Sequence, residues 1–432
     1  MSEKFDVVVV GGGPAGLSTA YFLAEKGFEP VVIERGPEPG SKNVFGGRIY
    51  SYVLDKYFPG WRKEAPIERW VRKERMSITC ESDSVTLDYV KHKPLKEDEY
   101  DSFTAFLSKF TGWLSEKAEE KGAMVLPGSR VEDIVLNDQG YASGVVADGE
   151  KIEADYIVIA EGVNTLLSEK LGIRSKPRLE TTALGVKEVI RLGKEEINKR
   201  FGLEDWEGVA HFFIGGPLKG IAGGGFLYTM GEYVTIGAVV RLSEVNRKEI
   251  TMKDIAEQLR LHPAIYRYVK DGVLMEYSAH LTREGGLLDV LEKPYGPGYL
   301  VVGDAAGFIL NTGFTIRGVD LAIESGRLAA EAISKAHKEG KRDAETLSVY
   351  KRLVEESVIY RNLREYRNLP KFLENEVLYR DLPDIACEVL GTAYTTDEEV
   401  RRIYPVLMNS LKSHGLGWIT LFKLFLEARR SI

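Results

Sequence analysis

Six residues, Gly11-Gly12-Gly13-Pro14-Ala15-Gly16, constrain this chain more than any others. An apolar run at residues 5–10 precedes them and reads as a short buried strand; residues 17–26 follow and read as a helix ended by Gly27. Residues 30–33 form a second buried strand that closes on Glu34. The arrangement is a βαβ unit, and each glycine has a task in it. Gly11 permits the tight turn, Gly13 lets the backbone approach a pyrophosphate, and Gly16 lets the helix pack close to the strand. The helix start, through Pro14 and Ala15, offers free N–H groups and a partial positive charge to phosphates. Glu34 is placed to accept both ribose hydroxyls of an adenosine.

A second strand-end motif separates NAD from FAD. Residues 299–302 read as a buried strand and run into Gly303-Asp304-Ala305-Ala306-Gly307. An aspartate there can hold the ribityl or pyrophosphate part of a long, extended cofactor. A helix is expected to begin near residues 313–318, with its amides toward the N1–C2 carbonyl edge of a flavin, where negative charge gathers on reduction. NAD enzymes have no use for this second site, so the two motifs together favour FAD.

The chain has 432 residues, beyond the size at which one hydrophobic core stops growing, so two or more sub-domains are expected. A net charge of −7 makes no electrostatic case for nucleic acid. The two cysteines, Cys80 and Cys387, are far apart with no CxxC and read as reduced thiols in a reducing compartment. They cannot supply the four thiolates of an iron–sulfur cluster. The first apolar run lacks a basic leader, and no apolar stretch reaches the ~20 residues that span a bilayer. The expectation is a cytoplasmic protein, peripheral on the inner face of the cell membrane. Glutamine occurs only at Gln139 and Gln258 while Lys, Arg and Glu abound, a bias of heat-adapted proteins.

The remaining pattern predicts an α/β chain that leaves the nucleotide-binding unit and returns to it. Residues 77–89, 125–127, 131–136, 142–147 and 156–160 read as strands, and 103–121 as a helix. Runs at 184–190, 211–214, 226–229 and 233–240 suggest an antiparallel sheet, with a helix at 252–261; everything beyond residue 346 reads as helical. The expected architecture is a Rossmann-like FAD-binding domain (1–75, 100–165 and 295–340), an inserted antiparallel-sheet substrate domain (76–99 and 166–294) and a helical C-terminal region (341–432).

The glycine fingerprint, Glu161-Gly162 after a buried strand, and Gly303-Asp304 are similar to the glutathione-reductase-2 type of flavoprotein, a group that includes geranylgeranyl reductases and aromatic hydroxylases. Longer stretches resemble FixC-type electron-transfer-flavoprotein:quinone oxidoreductases. They are Ser41-Lys42-Asn43-Val44-Phe45-Gly46-Gly47, Gly225-Phe226-Leu227-Tyr228, His262-Pro263-Ala264-Ile265, Glu284-Gly285-Gly286 and the sixteen-residue GDAAGFILNTGFTIRG at 303–318. The resemblance covers roughly residues 1–340. It implies that Gly11–Gly16, Glu34 and Arg35 hold the ADP half of FAD and that Val131 pairs its backbone with the adenine. It places Lys42, Gly46 and Gly47 near the flavin ring, Asp304 at the middle of the cofactor, and Gly313, Phe314, Thr315 and Ile316 at its pyrimidine edge, and it counts Glu161, Gly162 and Gly303 among the cofactor-binding residues. The implied partners are electron-transfer-flavoprotein subunits, a separate ferredoxin-like iron–sulfur subunit and a membrane quinone, menaquinone or ubiquinone, in a complex whose electrons start from NADH and are split by bifurcation. Long quinone oxidoreductases carry four cysteines of their own for a cluster; this chain has two, as the FixC form leads one to expect. Flavin is the redox centre, and Tyr228 or water is the candidate proton donor.

Several features admit plainer readings. His262, before Pro263, reads as a capping or packing residue rather than a metal ligand, and no metal is expected. The glycine-rich 215–225 segment reads equally as a place for a flat ring to approach or as a mobile loop. Trp418, Leu421, Phe422, Phe425 and Leu426 recur at helical spacing beside Lys423, Glu427, Arg429 and Arg430, the pattern of an interfacial helix or of one packed on the protein's own core. Two other functions use the same FAD frame: a geranylgeranyl-reductase-like enzyme that saturates prenyl double bonds, and a flavin-bearing scaffold without catalysis. An aromatic monooxygenase fits the extended quinone-oxidoreductase stretches less well.

Overall fold

The computed structural model describes residues 4–42, 46–92, 96, 99–395 and 400–432. Asn43, Val44 and Phe45, part of the first resembling stretch, lie outside the described residues. Two sheets carry the fold. The first runs in the order Tyr295–Gly296, Tyr299–Val301, Glu150–Ile159, Lys4–Val10, Pro30–Glu34, Met124–Pro127. From Tyr299–Val301 to Met124–Pro127 every neighbour is parallel, with Val9 opposite Val158 and Val32 in register. Val7, Val8, Val9, Val31 and Val32 are fully buried. Continuous β-branched runs suit a parallel sheet covered on both faces, which is why the apolar runs lack alternation. Ala142–Ala147 adds to Glu150–Ile159 antiparallel, and Val131–Leu136 adds to Ala142–Ala147.

The first helix, Pro14–Ala24, lies against both Val319–Lys338 and Leu107–Glu120. Gly326 makes the first contact close, since a Cβ there would stand 2.6 Å from the Ala15 carbonyl oxygen. The sequence places a helix over 103–121, but Ser102–Phe106 is a strand and the helix starts at Leu107. Phe103 packs with Trp61, Trp70 and Phe110, and the strand pairs with Gly46–Tyr50. Tertiary packing overrides the helical spacing here.

The second sheet has nine strands, in the order Val273–Arg283, Thr182–Arg191, Tyr233–Arg241, Gly223–Thr229, Glu207–Gly215, Arg69–Thr79, Ser102–Phe106, Gly46–Tyr50, with Ser84–Val90 paired to Arg69–Thr79. It is antiparallel except where Glu207–Gly215 runs parallel to Arg69–Thr79. Gly223–Gly225, read from sequence as possible loop, is the start of a strand; a Cβ at Gly224 would collide with the Phe212 ring. A separate core of Val186, Ile197, Phe213, Leu227, Ile236 and Leu259 lies behind this sheet. His262 caps the helix Pro263–Val269, its Nδ1 accepting from the Ala264 amide at 3.3 Å, while Nε2 stands 2.7 Å from the Cys80 carbonyl oxygen.

The reading of two free thiols is corrected. Cys80, just past Arg69–Thr79, is disulfide-bonded to Cys387 in the helix Asp381–Tyr394, with Cα atoms 6.6 Å apart. The two lie 307 residues apart in sequence. Contacts such as Pro383 on Gly215 and the Lys219–Asp384 ion pair carry the C-terminal helices onto the end of the sheet and bring the thiols together. From Ala344 onward the described residues form helices and connecting turns, with a small third core at Ile385, Leu411 and Leu416.

Candidate functional site

A cavity of about 1240 Å³ lies between the carboxyl ends of the parallel strands and one face of the second sheet. Val10, Ile33, Ala160 and Val302, at or just past the ends of four parallel strands, form one wall. Ligands of open α/β sheets bind at this end. Pockets for one small ligand hold roughly 300–1,000 Å³, so this volume has room for an extended cofactor and a second molecule.

Gly11, Gly13, Pro14, Ala15, Glu34, Arg35 and Val131 line one end. Gly11 has φ +109° and a Cβ there would strike the Ala160 carbonyl, so only glycine makes this turn. A Cβ on Gly13 would meet nothing within 4 Å, leaving space beside the backbone on the cavity side. The helix opens with Pro14 at its first position and Gly13 at its cap, with no side chain on its first amides. Those N–H groups are left for an anion. Gly16 does not line the cavity; it packs on Gly11, where a Cβ would collide. The Glu34 carboxylate accepts from the Gly12 amide at 2.7 Å and from the Gly36 amide at 2.7 Å. Each oxygen keeps a lone pair, and the carboxylate is already aimed.

Glu161 and Gly162 also line the cavity. The Glu161 side chain accepts from the Leu167 amide at 2.7 Å, the Ser168 amide at 2.8 Å and the Ser168 hydroxyl. It fastens the turn at Leu166–Lys170. Asp304 lines the middle, where burial pushes its carboxyl up to about 6 against the pull of His280 and Arg283. Gly303 lies behind it: its amide donates to Ser325 Oγ at 3.0 Å, and a Cβ would press on Ala15.

Past Asp304, Gly313, Phe314, Thr315 and Ile316 line the cavity beside Lys42 and Gly46. Asn311 Oδ1 accepts the Gly313 amide at 2.8 Å and fixes this loop. The helix Val319–Lys338 begins at Gly318 with no side-chain cap, so a second set of free amides faces the cavity. Gly47 is buried in its strand and does not line the cavity. Tyr228 does, and burial pushes its hydroxyl up to about 12, with Arg48 pulling the other way.

The opposite wall is the face of the second sheet. Glu74, Met76 and Ile78 alternate along one strand; Leu87, Tyr89, Phe212, Ile214, Phe226 and Tyr228 complete the face. Sequence reasoning missed Arg48, Tyr50, Glu74 and Met76. The available signal was a lone carboxylate, Glu74, at period two with Met76 and Ile78. A terminal nitrogen of Arg48 donates to the Glu74 carboxyl group, and its guanidinium lies 4.9 Å from the Tyr50 ring centroid. Arg317 stands 4.4 Å from the same ring and is paired with Asp320. Farther out, Phe372, Leu373, Leu378, Leu382 and the terminal Ile432 line the mouth. The adjacent helix Trp418–Ser431 exposes Trp418 (65%), Ile419 (75%), Phe422 (61%) and Phe425 (62%).

Comparison with known proteins agrees with this geometry. A family model described as FAD dependent oxidoreductase matches residues 6–92 and 99–332. Protein FixC of Escherichia coli strain K12 is 39% identical over 427 residues, 98% of each chain. The probable electron transfer flavoprotein-quinone oxidoreductase YdiS from the same strain is 37% identical over 415 residues, 96% of each chain. A geranylgeranyl bacteriochlorophyll reductase-like protein from Thermoplasma acidophilum superposes with a TM-score of 0.73 at 20% identity, over 95% of this chain and 96% of that one. At that identity the last likeness shows the fold alone.

Proposed function

This chain belongs to the FixC and electron transfer flavoprotein-quinone oxidoreductase family of FAD-dependent oxidoreductases, and from that premise we propose that it accepts electrons from an electron-transfer flavoprotein and passes them through FAD to a membrane quinone. The observation that carries the reading is one continuous cavity whose two ends differ in kind. Two helix starts with free amides and a fixed carboxylate, Glu34, make one end; an apolar sheet face opening beside an exposed aromatic helix makes the other.

The residues fit FAD. Gly11–Ala15 would hold the pyrophosphate, Glu34 and Arg35 the adenosine, Val131 the adenine, Asp304 the ribityl chain, and Gly313–Ile316 with Lys42 and Gly46 the ring. Gly16, Gly47 and Gly303 act through packing. FAD supplies two-electron chemistry that one-electron and two-electron partners can share. The protein's own residues position it: the free amides of Val319–Lys338 favour negative charge near the flavin's pyrimidine edge. The division of labour follows the two sheets, with the parallel sheet holding cofactor, the nine-stranded sheet facing the acceptor, and residues 341–432 shaping the mouth.

The quinone is a lipid. Among the described residues no helix is long and apolar enough to cross a membrane, so contact through Trp418, Ile419, Phe422 and Phe425, with Arg429 and Arg430 at the headgroups, is the reading the exposed helix supports. It puts the entrance at Phe372, Leu373 and Ile432 on the lipid side and the protein on the inner face of the cell membrane. With two cysteines in the chain, the iron–sulfur cluster belongs on a separate ferredoxin-like subunit. In such a complex the flavoprotein partner would oxidise NADH and split its electrons between quinone and ferredoxin.

Co-purification from the native source tests the assembly: recovery of two flavoprotein subunits and a small ferredoxin is the expected result, and isolation as a lone enzyme overturns it. Reduction of prenyl double bonds by the isolated chain would replace quinone with a prenyl substrate in the same cavity.

A further inference from the structure

Arg48 is a closely enclosed cation on the cavity wall, with 9% of its side chain exposed. One of its terminal nitrogens is spent on Glu74. Its Nε–H is buried and has no hydrogen-bond partner among the described residues. A buried, unpaired donor on a charged group costs about 1–3 kcal/mol or more; the part of the guanidinium left exposed is what meets the cavity.

The sheet register explains why this spot is open. Glu74 pairs with Ala210, and Ala210 pairs with Tyr228 on the next strand. Paired residues point to the same face, so a methyl group separates a carboxyl from a phenol across two strand spacings of about 4.8 Å each. Arg48 reaches over this gap from Gly46–Tyr50, in the range of both groups. The slot is therefore floored by Ala210, roofed by a guanidinium, and flanked by an acid and a hydroxyl. Around it lie Met76, Phe212 and Phe226, suited to a flat apolar ring.

We propose that this slot binds the oxygen of the acceptor: the exposed part of the Arg48 guanidinium holds a quinone carbonyl oxygen, and Glu74 delivers the proton that oxygen gains on reduction. The inference rests on the quinone reading above. Glu74 gives its carboxyl proton to the carbonyl oxygen; that O–H bond forms as the carboxyl O–H bond breaks. Two electrons and the second proton come from the anionic reduced flavin, so the products are oxidised flavin, quinol and the Glu74 carboxylate. Arg48 neutralises the carboxylate until water entering the cavity restores its proton. Burial raises the Glu74 carboxyl above its usual range, as a proton donor requires, with Asp101 adding to the rise and Arg48 and Lys91 opposing it. Tyr89 faces it from the neighbouring strand and Tyr228 from two strands away, past Ala210. Tyr228, pushed up to about 12, stays protonated and positions the oxygen.

The test compares wild type, Glu74→Gln, Glu74→Asp and Arg48→Met as FAD-loaded full-length protein. Reoxidation of the chemically reduced flavin is followed with a short-chain ubiquinone and with ferricenium, which takes electrons and no proton. Glu74→Gln should lower the quinone rate about 100-fold, in keeping with a general acid, leave the ferricenium rate within about twofold, and barely alter quinone Kd from spectral titration. Glu74→Asp should recover part of the rate. Arg48→Met should weaken quinone binding about tenfold or more. Redox-difference infrared spectra should show a carboxyl band in wild type that Glu74→Gln lacks. A Glu74→Gln protein that reduces quinone within twofold of wild type, or that loses ferricenium reoxidation equally, overturns the assignment while the quinone reading stands. A wild type that reduces no quinone overturns both.

Discussion

Under the proposed function, the cofactor end and the acceptor end of the cavity are built on opposite plans. The cofactor end is largely backbone: Gly11, Gly13 and two uncapped helix starts present amides, and Glu34 is a side chain fixed by two backbone amides. The acceptor end is side chain: Met76, Phe212, Phe226 and Tyr228 stand off a sheet face with Arg48 and Glu74 among them. Backbone recognition suits a ligand that never changes, since phosphate and ribose are the same in every FAD. Side-chain recognition can be retuned without disturbing the fold. Lesions at the first end should therefore remove flavin, and lesions at the second should spare flavin and alter the acceptor.

The sharpest way to break this contrast is Gly11→Val. Its φ of +109° and the collision with the Ala160 carbonyl leave no room for a side chain. The expected product carries no flavin and melts well below wild type; retained yellow flavin absorbance at full occupancy would refute the backbone account. Glu34→Gln is the next largest. Losing a charged acceptor bonded by two amides should cost about 1.5–3 kcal/mol, read as an FAD Kd raised at least tenfold with quinone KM unchanged.

Gly224→Val works from the other end. The new side chain displaces the Phe212 ring, so quinone KM should rise about tenfold at full flavin content, a range typical of a misfilled apolar pocket. Loss of flavin instead would mean that the two ends are not separable.

Asp304 gives a smaller, pH-linked effect. Its carboxyl sits at about 6 in the folded cofactor-free chain, above the usual value of 3.8. A raised carboxyl binds its proton more tightly when folded, so its stabilising contribution is full below about pH 4 and is lost as pH rises through about 6. Cofactor-free wild type should lose about 2–4 °C of Tm across that window relative to Asp304→Asn; parallel curves would contradict the burial of this group. Smallest of all for the chemistry is truncation before Leu416. Ferricenium reoxidation should be unchanged, while flotation with anionic liposomes falls; equal flotation would remove the helix from the account.

Legibility in the sequence follows the same divide. The turn and helix start at residues 11–16 were readable because glycine and proline at fixed offsets state a backbone conformation directly, without tertiary knowledge. The helices Met252–Leu261 and Val319–Lys338 were equally plain from their spacing. The acceptor end was not, because it is assembled from strands whose neighbours are far apart in sequence. Glu74, Ala210 and Tyr228 form one row only after register is fixed, and no local pattern specifies a pairing 136 residues away, from 74 to 210. Ser102–Phe106 was misread as helix because its strand identity comes from Gly46–Tyr50 beside it. The Cys80–Cys387 bond was missed for the same reason: a contact across the chain leaves no trace in spacing.

The account stands or falls on whether flavin and quinone share this cavity. Its most direct test is single-turnover reoxidation of the chemically reduced, FAD-loaded protein by quinone in liposomes under strict anaerobiosis. Full return of the yellow absorbance, saturating with quinone, is the predicted result. A flavin that stays reduced in the presence of every quinone, while ferricenium still reoxidises it, would contradict the claim.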